Sequence, residues 1–137
     1  MKGVLFLCVA NSARSQMAEG LARSVLPADV AVFSAGSNPG KLNPFAVQAL
    51  AEVGIDIAAH WSKAIADVPS EAIDTVVTLC AEQVCPIYPG HVARLHWPLP
   101  DPASAEGGDT AKLAAFRAVR DDLRGRIAEL GRRHREG

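Results

Sequence analysis

Four apolar residues in a row, Val4 to Leu7, run into a polar loop and out again into a segment with Met17, Leu21 and Val25 four apart. The run reads as a short strand buried on both faces, and the segment from Ser15 onward as an amphipathic helix. A buried strand feeding directly into a helix is the signature of a parallel sheet, so this junction limits the fold more than any other stretch. Cys8 opens the connecting loop, Asn11, Ser12 and Ala13 fill it, and Arg14 and Ser15 close it. A loop of this kind can curl its backbone N–H groups inward as a nest, and the helix behind it adds the positive end of its dipole. Together these bind an oxyanion and favour the thiolate of Cys8. Five residues separate Cys8 from Arg14, so thiol and guanidinium can reach one anion from opposite ends of the cradle. The planar guanidinium fork suits two-point contact with a tetrahedral oxyanion, which a lysine could not copy. A cysteine at a strand end is often mere core filler; the polar residues Asn11, Ser12, Arg14 and Ser15 in one tight loop argue against that here.

Further along, Val30 to Ser34 reads as a second strand, followed by a loop at residues 35–40. Asn43 is placed to cap a helix with Pro44 at its first position. Val47, Leu50 and Ala51 give that helix an apolar face, and Gly54 can stop it. Residues 55–62 form an irregular connection, with one short helical turn at Ala64 to Val68. Thr75 to Leu79 is the third strand and delivers Cys80 at its end. Cys85 follows, and Pro86 and Pro89 break any long helix. Val92 to Trp97 is the fourth strand, and Pro98, Pro100 and Pro102 hold an extended loop around Asp101. A last helix from Asp109 carries Leu113, Phe116, Leu123, Ile127 and Leu130 at helical spacing, with Gly131 as its stop. The basic tail Arg132-Arg133-His134-Arg135 sits where cations favour a helix C-terminus and reads as a solvated end.

Composition limits what this scaffold is for. With 14 basic and 15 acidic residues the formal net charge is −1, so no global field draws in nucleic acid or an acidic membrane. Any pull on an anion must be local. A chain of 137 residues, 49% of them hydrophobic, fits one domain over residues 1–137 with a core of ordinary size. The N-terminal apolar run is too short for a signal peptide and none approaches membrane-spanning length, so a cytoplasmic protein is expected. Three cysteines are a poor basis for a static disulfide framework in a reducing compartment; reactive, metal-binding or buried thiols are the open readings. Zinc with Cys80, Cys85, His91 and His96 is disfavoured because the cysteine spacing is not that of a compact four-ligand site, and no metal is expected.

The Cys-x5-Arg-Ser loop after a first strand resembles the low-molecular-weight tyrosine phosphatase family. Within it, the stretch from Asn11 to Gly20 is similar to the thioredoxin-coupled arsenate reductases that share that fold. The likeness continues through Ser34-Ala35-Gly36, Leu42-Asn43-Pro44, residues 52–57, Val76 to Cys80, His96-Trp97 and Asp101-Pro102-Ala103, and so covers nearly the whole chain. It implies an α/β three-layer sandwich with a four-stranded parallel sheet in the order 2-1-3-4 and helices on both faces. Cys8 and Cys80 then leave neighbouring strands at the carboxyl edge, where the winding reverses and ligands bind in such sheets, and Asp101 lies on the same edge.

The resemblance also implies a chemistry. In a phosphatase, Cys8 attacks phosphorus, Arg14 and the amides of residues 11–15 hold the equatorial oxygens, and Asp101 protonates the leaving oxygen; Cys80 and Cys85 have no part. With arsenate, a second thiol, Cys80, can attack the sulfur of the cysteine–arsenic adduct, and arsenite leaves with the electron pair. Cys85 then carries the oxidation outward as a Cys80–Cys85 disulfide for an external reductant, thioredoxin first, glutaredoxin with glutathione as the alternative. Four residues separate Cys80 from Cys85, fewer than the resembling enzymes usually carry. Arsenic detoxification is the implied role, and no tightly bound cofactor is called for. A low-molecular-weight phosphatase is the alternative enzyme, and a noncatalytic oxyanion or redox sensor the alternative outside catalysis. Asn11 and Ser12 are expected to shape the cradle by bonding its backbone, Ser15 to donate to Cys8, and Asp101 either to act as acid or simply to shape its proline-rich turn. Some enzymes of this type hold potassium behind the loop through Asn, Glu, Ser and Asp. Asn11, Glu19 and Ser34 match three of these, and Lys63 stands at the fourth, which suggests an ammonium in place of the ion and no need for potassium.

Overall fold

The computed structural model describes residues 1–81 and 86–136. In chain order the elements are β1 (Gly3–Cys8), α1 (Arg14–Val25), β2 (Ala31–Gly36), α2 (Pro44–Ala51), β3 (Thr75–Cys80), β4 (Ala93–Leu99) and α3 (Asp109–Glu136). Single 3-10 turns lie at Ile65–Asp67, Ser70–Ala72 and Pro102–Ser104. All strands run parallel, in the order β2-β1-β3-β4, which is the expected topology. Every residue of β1 is buried, as a central parallel strand requires.

The pleat divides the core in two. Val4 and Phe6 of β1, with Val77 and Leu79 of β3, face α1, α2 and α3, where Met17, Leu21, Leu50, Phe116, Leu123 and Ile127 complete the main cluster. Leu5, Leu7 and Val76 face the other way, covered by Val68, Ile73 and Tyr88 and by Ile65 from a 3-10 turn. Among the described residues the three α-helices share one face and the 3-10 turns, with the chain around Tyr88, cover the second, so both faces carry helical segments as expected but only one carries α-helices.

Several local expectations hold at the level of single contacts. Asn43 caps α2, its Oδ1 accepting from Phe45 N at 2.8 Å, with Pro44 at the first helical position. The chain at Gly54 has left the helix with a φ of +82°. Gly131 does not stop α3, which runs on to Glu136. A Cβ there would lie 3.2 Å from Leu26 Cδ2, so this glycine serves the packing of α3 on the end of α1 rather than a helix stop. The basic tail is solvated as read, with Arg132 paired to Glu129 and Glu136. Among the described residues no helix is long and apolar enough to cross a membrane.

Candidate active site

The loop between β1 and α1 holds its shape because other segments bond to its backbone. Asn38 N donates to Val9 O, Gly40 N to Ala10 O and Asn43 N to Ser12 O, at 2.8–2.9 Å. Ser62 Oγ donates to Asn11 O at 2.7 Å. Gly36 ends β2 hard against this loop: a Cβ there would sit 2.4 Å from Val9 O and 2.9 Å from Asn11 N. Asn11 takes the left-handed conformation, φ +49°, and is fully buried. Asparagine tolerates that region better than most residues, and a left-handed residue is what turns successive N–H groups to one side. α1 begins without a side-chain cap and without an acidic residue in its first turn, so its positive end is left to whatever the loop binds.

Cys8, 2% exposed, lies 2.8 Å from Ser15 Oγ. Asn11 Nδ2 donates to that same hydroxyl at 2.7 Å, which leaves the hydroxyl proton available to a thiolate at Cys8. The Asn11 side chain therefore works on Ser15 and, through Oδ1, on Lys63 N at 2.7 Å, rather than on the loop backbone as the sequence suggests. Ser12 enters through its carbonyl and as part of the cavity wall. Arg14, 5% exposed, donates through Nη1 to Leu99 O at 3.0 Å, which ties the cradle to the end of β4. A cavity of about 240 Å³ is lined by Cys8, Val9, Ala10, Ser12, Ala13, Arg14 and Asp101. Asp101 also caps the turn at Pro102–Ser104, accepting from Ala103 N at 3.0 Å and Ser104 Oγ at 3.5 Å. Asp101 thus shapes its turn, as one of the two readings expects, and it also lines the cavity that holds Cys8 and Arg14.

The second cysteine is placed differently. Leu7 pairs with Thr78 across β1 and β3, so Cys8 and Cys80 do end neighbouring strands. By the alternation of the pleat, however, Cys8 falls in the row of Val4 and Phe6 and Cys80 in the row of Val76, with a register shift between Thr78 and Cys80. Cys80 is buried and disulfide-bonded, while Cys8 is a free thiol. Cys85 lies outside the described residues. Of the imidazoles named as zinc candidates, His96 Nδ1 is engaged with Thr78 Oγ1 at 2.6 Å.

Behind the loop sits a polar cluster that the sequence only partly announces. Glu19, 3% exposed, accepts from Ser34 Oγ at 2.6 Å and lies 3.5 Å from Lys63 Nζ, which also donates to Trp61 O at 2.9 Å. Potassium does not fit here: the ammonium of Lys63 stands against the Glu19 carboxylate, and lysine has no lone pair to give a cation. Lys63 reaches this position because Gly36 N donates to Lys63 O at 2.9 Å and Gly36 bridges to Ala64, extending the edge of the sheet. Gln16 was not anticipated. It is fully buried, donates to Asn11 Oδ1 at 3.0 Å and to Trp61 O at 2.8 Å, and accepts from His60 Nδ1 at 3.1 Å. Burial holds His60 below the ordinary imidazole range, with Glu19 pulling the other way. The available signal was a run of polar residues, Ser15-Gln16, in a first helical turn that must pack against a sheet.

The chain matches the model of the low molecular weight phosphotyrosine protein phosphatase family over residues 3–136. It is 46% identical over 136 residues to a protein named arsenate reductase from Halalkalibacterium halodurans, covering 96% of this chain and 98% of that one. Among solved structures it resembles an arsenate reductase in the phosphate binding state, with a TM-score of 0.82 and 34% identity over 97% of this chain and 98% of the other. It also resembles the Corynebacterium glutamicum thioredoxin-dependent arsenate reductase, TM-score 0.71 and 34% identity, over 95% of this chain and 60% of that one. With the cradle, its cysteine and its arginine in the places described, the chain belongs to the low molecular weight phosphotyrosine protein phosphatase family, and within it is similar to the arsenate reductases.

Proposed function

We propose that this chain reduces arsenate to arsenite in arsenic detoxification, working in the cytoplasm and needing no potassium for turnover. The observation that carries the reading is the cavity that Cys8, Arg14 and Asp101 line together. The Cys8 thiolate attacks arsenic and an oxygen leaves as water, its proton supplied by Asp101. Arg14 and the amides of residues 11–15 hold the remaining oxygens. The Cys80 thiolate then attacks the sulfur of Cys8. A sulfur–sulfur bond forms, the sulfur–arsenic bond breaks, and its electron pair stays on arsenic, which departs as arsenite. The Cys85 thiolate attacks the sulfur of Cys80 and releases Cys8 as thiolate, and an external dithiol reduces the Cys80–Cys85 disulfide by exchange. Because Cys80 falls in the other row of the pleat from Cys8 and is disulfide-bonded in this structure, the second step follows reduction of that disulfide and includes a rearrangement at the end of β3. The likeness to a thioredoxin-dependent enzyme favours thioredoxin as the reductant over glutaredoxin with glutathione.

The test is arsenate turnover with thioredoxin, thioredoxin reductase and NADPH, compared across wild type, Cys8→Ser, Cys80→Ser and Cys85→Ser. A relay requires all three variants to fail to cycle. Sustained turnover by Cys80→Ser would remove the relay from the mechanism. The family match favours a second reading, phosphomonoester hydrolysis through a phospho-Cys8 intermediate. That reaction uses Cys8, Arg14 and Asp101 alone and survives the loss of Cys80 and Cys85.

A further inference from the structure

Lys112 stands in the first turn of α3 (Asp109–Glu136), where a cation opposes the helix dipole. Its Nζ leaves that helix end and donates to Ala105 O at 2.9 Å and Ala103 O at 3.4 Å. These carbonyls close the 3-10 turn Pro102–Ser104, whose opposite end is capped by Asp101. The turn is thus held at one end by a carboxylate and at the other by an ammonium, and bonds from a charged donor to carbonyls are the stronger kind. Downstream of these carbonyls the chain passes through Gly107, φ +107°, and Gly108 before α3 begins. Two glycines hold a segment weakly by themselves. Upstream of Asp101, the backbone is gripped by Arg14 at Leu99 O.

We propose that Lys112 is a positioning residue for the acid: its ammonium clamps the turn that bears Asp101 and so keeps that carboxyl at the mouth of the Cys8 cavity. Lys112 does not line the cavity, so it acts through Asp101. The inference rests on the reading of Asp101 as the acid in arsenate reduction.

The test is the rate of arsenite formation in a single turnover by the fully reduced protein, measured against arsenate concentration for wild type, Lys112→Ala, Lys112→Arg, Asp101→Asn and the double variant Asp101→Asn/Lys112→Ala. A displaced acid predicts that Lys112→Ala lowers the maximal rate about tenfold, with half-saturating arsenate unchanged within about twofold. Arginine, which can make the same bonds, restores most of the rate. The double variant is no slower than Asp101→Asn alone, because a missing acid cannot be misplaced. A general loosening of the fold would instead multiply the two losses, and that result overturns the proposal, as does a wild-type rate in Lys112→Ala. A wild-type rate in Asp101→Asn overturns the acid reading itself, and the role of Lys112 with it.

Discussion

A backbone N–H can only donate, so the amide of Lys63 fixes which end of Asn11 faces it. The Asn11 oxygen accepts from Lys63 N, which turns the Asn11 NH2 toward Ser15 Oγ, the hydroxyl that meets the sulfur of Cys8 and is the donor when that sulfur is a thiolate. Cys8 is thus reached by a chain of hydrogen bonds that begins at Lys63, 52 residues from Asn11 in sequence. Hydrogen bonds to a charged group are worth about 1.5–3 kcal/mol. Ser15→Ala is therefore expected to slow single-turnover arsenite formation by about ten- to a hundredfold, at 1.4 kcal/mol per factor of ten. The fold should persist, since the lost group is one hydroxyl, and a thermal melt beside the rate measurement separates the two effects. The pairing of Ser15 with Cys8 was legible from the loop; its dependence on Asn11 and Lys63 was not, because periodicity says nothing about side chains bonding across distant segments.

Between elements, α2 and α3 are joined by a clamp in which Glu52 pairs with both Arg117 and Arg120, and Arg120 also reaches Ala49 O at 2.9 Å. The hydrogen bond from Arg117, with Arg120 adding to it, lowers Glu52 from the ordinary carboxylate value of 4.5 to about 2. A carboxylate held lower in the folded than in the unfolded chain contributes stability that is present in full above 4.5 and fades as pH falls toward about 2. Urea midpoints measured from neutral pH down to pH 2.5 should fall less steeply for Glu52→Gln than for wild type, the two curves converging in acid. The Asn43-Pro44 start of α2 was readable because capping is local chemistry. The clamp was not, since Glu52 and Arg117 meet only once two helices are packed.

At the scale of the molecule, the carboxyl edge of the sheet gathers the loop after β1, the end of β2, the end of β4 and the turn that follows it. Arg14 bonded to Leu99 O and Gly36 pressed on Val9 O make the anion cradle a junction between segments that no single element owns. An oxyanion bound there should stabilise the whole fold by mass action, about 2.7 kcal/mol at a concentration a hundred times its dissociation constant. Phosphate or arsenate is expected to raise the melting temperature of the reduced wild-type protein and to leave that of Arg14→Ala almost unmoved. An equal rise in both would place the anion elsewhere. By itself the sequence determined the alternation of buried strands and amphipathic helices, the cap of α2, and the Cys8 to Ser15 loop with its arginine, because each is written in spacing along a few neighbouring residues. Only the tertiary structure decided that His60 stands beside Glu19 and Gln16 beside Asn11 behind that loop, that Cys80 falls in the other row of the pleat from Cys8, and that Lys112 grips the turn of Asp101. Those outcomes depend on sheet register, strand pleat and the path of irregular backbone, and these become fixed only when segments far apart in the chain pack together.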